Sequence, residues 1–304
     1  MPDQSPLPPV LKLDAIGLVR RLNALPGIQL DFVGAARGGE VGAAFVRWPD
    51  GREGVLTRGP DDLAALARTE ELLELARTHA IPCPRYDLVR DLPGEGVVVV
   101  QERLPGGPPR RIDDRLIAAM LAVNDRFAGL LISRPDVPPL DLYLTQSGPG
   151  FCLHESLERY DARTRRLLGW IREVGRHPSA VMTGSDLVHA DLHFGNVLVD
   201  DAGAITGIVD WGDAGRGDRR FGLVTLAFDL GWGMRFSPAY QQVTPAGVAA
   251  VWARLDAMDA GILRAFWAHM SLRMVDWSIR HQTAESVDHY LAFASSRIGP
   301  SLTS

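Results

Sequence analysis

Residues 187–196 read LVHADLHFGN and residues 208–211 read IVDW. The first stretch has the form H-x-D-L-x-x-x-N, with its acid at Asp191 and its amide at Asn196. The second stretch brings a further acid, Asp210, fourteen residues after that amide. A carboxylate on a loop after a short apolar strand can accept a hydrogen bond from a substrate hydroxyl. Amide and carboxylate oxygens are ligands that Mg²⁺ accepts, together with phosphates and water.

This combination is what phosphoryl transfer requires. One Asp orients the attacking hydroxyl and accepts its proton late, while an Asn and a second Asp hold Mg²⁺ against the nucleotide phosphates. A lone Asp in a loop is more often a cap for a turn. With Asn196 and Asp210 in register, we predict that Asp191 is catalytic and that the other two are metal ligands.

The pattern around these stretches predicts two lobes. Residues 1–102 read as short strands with two helices, and residues 103–304 as mainly helices, with a loop at 101–109 as the hinge. The predicted strands of the first lobe are 29–33, 43–48, 54–57 and 97–100, and its predicted helices are 14–25 and 61–79. The Asp50-Gly51 pair predicts a hairpin turn between the second and third strands. Helices are predicted in the second lobe at 112–133, 155–175, 218–231, 245–258, 260–281 and 284–297.

On these residues the chain resembles the aminoglycoside phosphotransferase and choline kinase group, relatives of the protein kinases. The matching pieces occur along the chain in the same order as in the family. They are Ile81–Pro84, Arg103–Gly106, His189–Asn196, Ile208–Trp211 and Gly217–Asp218. The resemblance implies an α+β, bilobal, protein-kinase-like fold with a small β-rich N-lobe and a larger helical C-lobe. It also implies ATP or GTP with Mg²⁺ as co-substrate and a small hydroxylated acceptor.

The same resemblance indicates where the nucleotide is held. The glycine-rich link 34–42 lies between the first two strands, and the backbone N–H groups at Gly38 and Gly39 could cover its phosphates. The adenine is expected at main-chain groups near Gln101 and Arg103.

One departure from the family concerns the phosphate-pairing lysine of the third strand. Lys12 is the only lysine of the chain, so this position offers Arg58, with Glu70 as its predicted helix partner and Glu71 and Glu74 as rivals. Arginine binds phosphate as a planar fork, not as a point charge. Either Arg58 pairs with the phosphates, or the alignment is off by a residue or two, or nucleotide binding is altered.

A second departure is Gly222, at the place where the family has an Asp that braces the catalytic loop. The flanking histidines, His189 and His193, also admit a zinc-hydrolase interpretation. That interpretation is disfavoured because no third His or Cys cluster completes a site. The resemblance implies that His189 braces the Asp210 segment and that His193 is a loop residue near the nucleotide or the substrate. A structural role is predicted for each.

Composition limits the class of protein further. The 304 residues carry a net charge of −5, which argues against a nucleic-acid partner. No apolar run approaches a membrane span, no secretory signal is visible, and two cysteines make no disulfide framework, so a cytoplasmic location is expected.

We therefore expect a small-molecule O-phosphotransferase. The acceptor class that we favour is an antibiotic of aminoglycoside, cyclic peptide or macrolide type. The alternatives are a kinase for a metabolite such as choline, a sugar or an amino alcohol, and a non-catalytic kinase-like protein that binds nucleotide.

Overall fold

The computed structural model describes residues 12–36, 42–59, 62–177 and 180–298. They divide into two compact units. The sheet unit comprises the described residues up to Gly107 together with Val197–Asp213, and the helical unit comprises the described residues of Pro108–Asn196 and those from Ala214 onward.

The sheet unit is built on five antiparallel strands in the order β1-β2-β3-β5-β4. Its elements are α1 (Ala15–Asn23), β1 (Asp31–Ala35), β2 (Ala44–Arg47), β3 (Glu53–Arg58), α2 (Leu63–Thr78), β4 (Tyr86–Leu92) and β5 (Gly96–Glu102). The β2–β3 hairpin turns at the predicted Asp-Gly pair, where Gly51 adopts a φ of 87°. Strand β4 was not predicted, because its polar residues interrupt the apolar alternation.

The two faces of this sheet have different neighbours. On the α1 face, Leu56, Val98 and Val100 pack in one buried cluster with Leu18 and Leu22 of α1. On the α2 face, Val97 and Val99 pack with Leu66 of α2, and with Tyr86 and Val89. Alternate residues of a strand point to opposite faces, so these clusters assign a face to each residue of β3 and β5.

The hairpin of β7 (Val197–Val199) and β8 (Ile205–Ile208) also belongs to the sheet unit, although the sequence assigns it to the C-terminal lobe. The reason is hydrogen bonding. Val199 N donates to Gly107 O at 2.8 Å, Ile208 N to Pro82 O at 2.7 Å, and Thr206 Oγ1 to Pro105 O at 2.6 Å.

The helical unit holds the remaining elements. They are α3 (Asp114–Asp125), α4 (His154–Tyr160), α5 (Ala162–Gly175), β6 (Asp186–Val188), β9 (Gly215–Gly217), α6 (Phe221–Phe236), α7 (Pro245–Asp256), α8 (Ala260–His281) and α9 (Ala284–Ser295). Helix α8 packs against α4, α5, α6 and α9 and forms the centre of this core. The predicted helix at 155–175 is two helices, because a capping box at Asp161 and Thr164 starts a new one. Within the described ranges, no helix has the length and apolar character needed to cross a membrane.

Candidate active site

The loop after β6 carries the predicted catalytic Asp191. Strand β6 pairs with β9 and leads into His189, which is buried, and Ala190, whose φ is 66°. A non-glycine residue in this left-handed region is strained and persists only where its surroundings determine it. A short 3₁₀ turn, Phe194–Asn196, closes the loop.

Asn196 is oriented toward Asp191 by two hydrogen bonds. Its Nδ2 donates to the Asp191 carbonyl at 3.0 Å and to the Asp191 Oδ2, also at 3.0 Å. Because the amide nitrogen donates inside the loop, the amide oxygen is the polar atom of this side chain that remains available as an acceptor. That oxygen fits the hard, oxygen-preferring Mg²⁺.

Two basic side chains lie beside the Asp191 carboxylate. Arg273 of α8 lies with its guanidinium 3.2 Å from Oδ1, and His193 Nε2 lies 3.5 Å from Oδ2. Burial by itself raises the pKa of the Asp191 carboxyl, but Arg273 and His193 outweigh it and hold that pKa well below its usual range. The group is therefore a carboxylate near neutral pH, suited to orienting a hydroxyl more than to abstracting a proton early.

Acidic neighbours raise the pKa of His193. Burial by itself lowers the pKa of this imidazole, but the hydrogen bond to Asp191 and the charges of Asp191 and Asp229 raise it to about 9. The nearby N–H of Gly195 also donates to the ring, at Nδ1 and 3.0 Å; this contact requires a neutral tautomer and cannot coexist with the protonated ring. Asp191 N lies 3.3 Å from His189 Nδ1. Both histidines thus accept contacts from backbone N–H groups of the loop. The described residues contain no cluster of three His, Cys, Asp or Glu that could hold a metal.

Sequence reasoning missed Asp229, which braces the loop from α6. Its Oδ2 accepts from Phe194 N at 3.1 Å and from Tyr240 Oη at 2.9 Å. Asp229 lies seven residues after Gly222, two turns along the same face of the helix. At Gly222 a side chain would meet Asn124 Oδ1 at 2.6 Å. The carboxylate expected near the start of α6 is therefore supplied two turns later, where there is room for it.

Arg273 was missed as well, because it lies eighty-two residues beyond Asp191 in sequence on a helix that reads as core. Its side chain is only 14% exposed. An arginine among the apolar positions of α8 is the one signal that could have singled it out.

Asp210 lies in the sheet unit, two residues after the end of β8. Its φ of 65° is in the left-handed region, and the following Trp211 is buried with its Nε1 donating to Ile208 O at 2.8 Å. The charge of Asp210 acts on the phenol of Tyr86. Burial raises the pKa of this phenol to about 12, with help from the negative charges of Glu70 and Asp210.

The predicted pairing of Arg58 with Glu70 requires correction. Arg58 binds Glu95, with its guanidinium 2.8 Å from the Glu95 carboxylate and 3.0 Å from the Glu95 carbonyl oxygen. Arg21 of α1 reaches the same carboxylate at 3.4 Å. Arg58 is opposite Val98 in the sheet and so lies on the α1 face, whereas Glu70 belongs to α2 on the other face.

The remaining nucleotide contacts remain predictions. Gly38 and Gly39 lie outside the described residues. Gln101 is within β5, opposite Val55. The N–H of Arg103 donates to Glu53 O at 3.3 Å, while its guanidinium lies 2.8 Å from the Glu53 carboxylate. An adenine contact at Arg103 is therefore expected to use the carbonyl.

The comparisons with known proteins agree with this fold. The profile described as the phosphotransferase enzyme family matches residues 34–258. The chain belongs to this family. The prediction that it is a phosphotransferase is therefore confirmed. A search of curated proteins finds no match.

Solved structures of three aminoglycoside phosphotransferases share the fold. The 3'-phosphotransferase of type VIII is 22% identical, with a TM-score of 0.57 over 83% of this chain and 97% of that one. The 2'-phosphotransferase-IIIa in its GDP complex is 16% identical, with a TM-score of 0.62 over 93% and 98%. A thermostable mutant of APH(4)-Ia, in ternary complex with AMP-PNP and hygromycin B, is 17% identical, with a TM-score of 0.64 over 93% and 97%. The predicted kinase-like fold, with a β-rich and a helical lobe, is confirmed.

Proposed function

We propose that this protein transfers the γ-phosphoryl group of ATP or GTP to a hydroxyl of a small molecule, with an antibiotic as the first acceptor class. The geometry around Asp191 is the observation that supports the proposal most. A carboxylate kept ionised by Arg273 and oriented by Asn196 is what positioning a hydroxyl for phosphoryl transfer requires.

In the proposed reaction, Asp191 accepts a hydrogen bond from the acceptor hydroxyl and aligns its oxygen with the γ-phosphorus. The hydroxyl proton passes to the Asp191 carboxylate late, as the new P–O bond forms and the bond from the γ-phosphorus to the bridging oxygen of the departing ADP or GDP breaks. Asn196 and Asp210 are proposed to hold Mg²⁺ through their side-chain oxygens. When bound, the ion neutralises charge that develops on the phosphates.

The antibiotic acceptor is supported by the relatives of similar fold, one of which carries hygromycin B beside a nucleotide analogue. Their low identity leaves the acceptor to be chosen by experiment, and a metabolite kinase is the alternative within the same chemistry. The placement of Arg58 away from α2 favours one further candidate, a non-catalytic protein that binds nucleotide.

The test is consumption of ATP and GTP over a panel of hydroxylated antibiotics and metabolites. We expect at least one acceptor to be phosphorylated and the variant Asp191→Asn to lose nearly all turnover, because it keeps the shape of the side chain and removes its charge. Nucleotide binding by that variant should persist. Unchanged turnover in Asp191→Asn would refute the assignment of the catalytic residue. Nucleotide binding without turnover across the panel would favour the non-catalytic protein.

A further inference from the structure

Strand β3 presents alternate residues to two different environments. Arg58 is paired with Val98, which packs in the cluster on the α1 face, and Thr57 is paired with Val99, which packs with α2. The two side chains therefore point to opposite faces of the sheet.

The surroundings of Thr57 are otherwise apolar. A side chain at Gly59, the next position on the same face, would meet Val97 and Val99 at 3.1 Å, and Leu66 of α2 belongs to the same cluster. The Thr57 hydroxyl reaches the carbonyl oxygen of its neighbour Arg58 at 3.5 Å, the outer limit of a hydrogen bond. Thr57 is thus a half-buried polar group whose only intramolecular bond among the described residues is weak.

In kinase chemistry a cation on this strand contacts the donor phosphates and pairs with an acid on the adjacent helix. That arrangement requires both side chains on one face. Here α2 offers Glu70, which is exposed and makes no ion pair among the described residues, and β3 offers Thr57. The charges of Glu70 and Asp210 both act on the phenol of Tyr86, which supports a location of Glu70 on the side of the unit that carries the predicted metal ligand.

We propose that Thr57, and not Arg58, is the β3 residue that faces the donor phosphates, and that this enzyme binds its Mg²⁺-nucleoside triphosphate without a cation from β3. The inference rests on the proposed function, because it concerns the same nucleotide. Arg58 has a structural role instead, holding Glu95 and the turn before β5 against the sheet.

The proposal predicts that charge affects triphosphate affinity at Thr57 and not at the adjacent Arg58. Removing the charge of Arg58 should leave triphosphate affinity nearly unchanged, whereas adding a charge at Thr57 should increase it. A charge-assisted hydrogen bond contributes enough to tighten binding about tenfold.

The experiment is calorimetric titration with AMP-PNP and GMP-PNP in the presence of Mg²⁺, and with adenosine and guanosine as probes that lack phosphates. The variants are Arg58→Ala, Thr57→Lys and Thr57→Met, where the methionine fills similar space without charge. Thermal unfolding of each variant reports whether it folds. We expect Arg58→Ala to bind the analogue within about twofold of wild type and to unfold more easily, because an ion pair is lost.

Thr57→Lys should bind the analogue about tenfold more tightly than Thr57→Met, and adding Glu70→Ala to Thr57→Lys should remove most of that gain. The nucleosides should not distinguish the variants. The inference is overturned if Arg58→Ala lowers the affinity for the triphosphate analogue tenfold or more while its affinity for the nucleoside is unchanged. It is also overturned if folded Thr57→Lys binds the analogue no more tightly than Thr57→Met. Should Thr57→Lys fail to fold, the Arg58→Ala measurement decides. If wild type binds neither analogue, the proposed function itself fails, which is a different result from the loss of binding in Arg58→Ala.

Discussion

Replacing Arg273 by methionine tests how the carboxylate of Asp191, the proposed catalytic residue, is positioned. Methionine keeps much of the apolar stem and removes the guanidinium that lies 3.2 Å from Asp191 Oδ1. Both side chains are mostly buried, at 14% and 22% exposure, so solvent screens this pair less than a surface pair. A hydrogen bond to a charged group is worth roughly 1.5–3 kcal/mol, which corresponds to a factor of about 10 to 100 in rate if all of it serves positioning.

The assay is steady-state turnover with the acceptor found in the panel, at saturating nucleotide. Arg264→Met is the matched control, because Arg264 lies on the same helix and pairs with the exposed Glu173 at 3.1 Å. Exposed pairs of this kind contribute about 0–1 kcal/mol. We expect Arg273→Met to lower kcat by about 10- to 100-fold relative to Arg264→Met, with nucleotide affinity preserved.

The pH dependence adds a readout that a loss of packing would not produce. Arg273 depresses the pKa of Asp191, so the ionised and active form persists to low pH in the wild type. Without Arg273 the pKa rises, and the acidic limb of kcat should move to higher pH. A kcat in Arg273→Met equal to that of Arg264→Met, with an unmoved acidic limb, would show that the guanidinium does not position the carboxylate.

Two of the three further predictions concern the loop of Asp191, and the third concerns the proposed Mg²⁺ ligand Asp210. Asp229→Ala removes the acceptor for Phe194 N and Tyr240 Oη, and two unsatisfied donors should lower the free energy of unfolding by about 2–4 kcal/mol in denaturant titrations; a loss no larger than that of Tyr240→Phe would contradict the bracing role. The pKa of His193 is raised to about 9, so its protonated form stabilises the fold fully below about pH 6.5 and that contribution is lost as the pH rises through 9. The stability difference between wild type and His193→Asn should therefore shrink from pH 6 to pH 10, and a constant difference would refute the ion pair. Asp210→Ala should weaken nucleotide binding in Mg²⁺ and leave metal-free binding unchanged in calorimetry, whereas equal losses with and without Mg²⁺ would count against its role as a ligand.

Local patterns carried much of the fold. The helical spacing in 260–281 predicts α8 with its observed ends, and the Asp-Gly pair predicts the β2–β3 turn. These features depend on neighbours within a few residues, which the sequence displays directly. Strand β4 shows the limit of this reasoning. Its polar residues Asp87 and Arg90 interrupt the apolar pattern by which a strand is recognised in the sequence. The strand forms because it pairs with β5.

The side of a strand was harder to predict than the strand itself. A shift of one residue reverses every side chain of a strand, so a correctly predicted β3 does not by itself tell which of its residues faces α2. The register of Thr57 with Val99 places Thr57 on that face, and this register depends on the partner strand.

By itself, the sequence determined the chemistry of this protein, because Asp191, Asn196 and Asp210 lie within twenty residues and their order and types indicate phosphoryl transfer. The tertiary structure alone decided which groups support them. Arg273 and Asp229 contact the loop of Asp191 from helices that are distant in sequence. Arg58 forms its ion pair with Glu95 and not with a residue of α2. Such contacts arise from the packing of helices and the pairing of strands, and no local pattern of residues encodes which distant side chain will meet a given carboxylate.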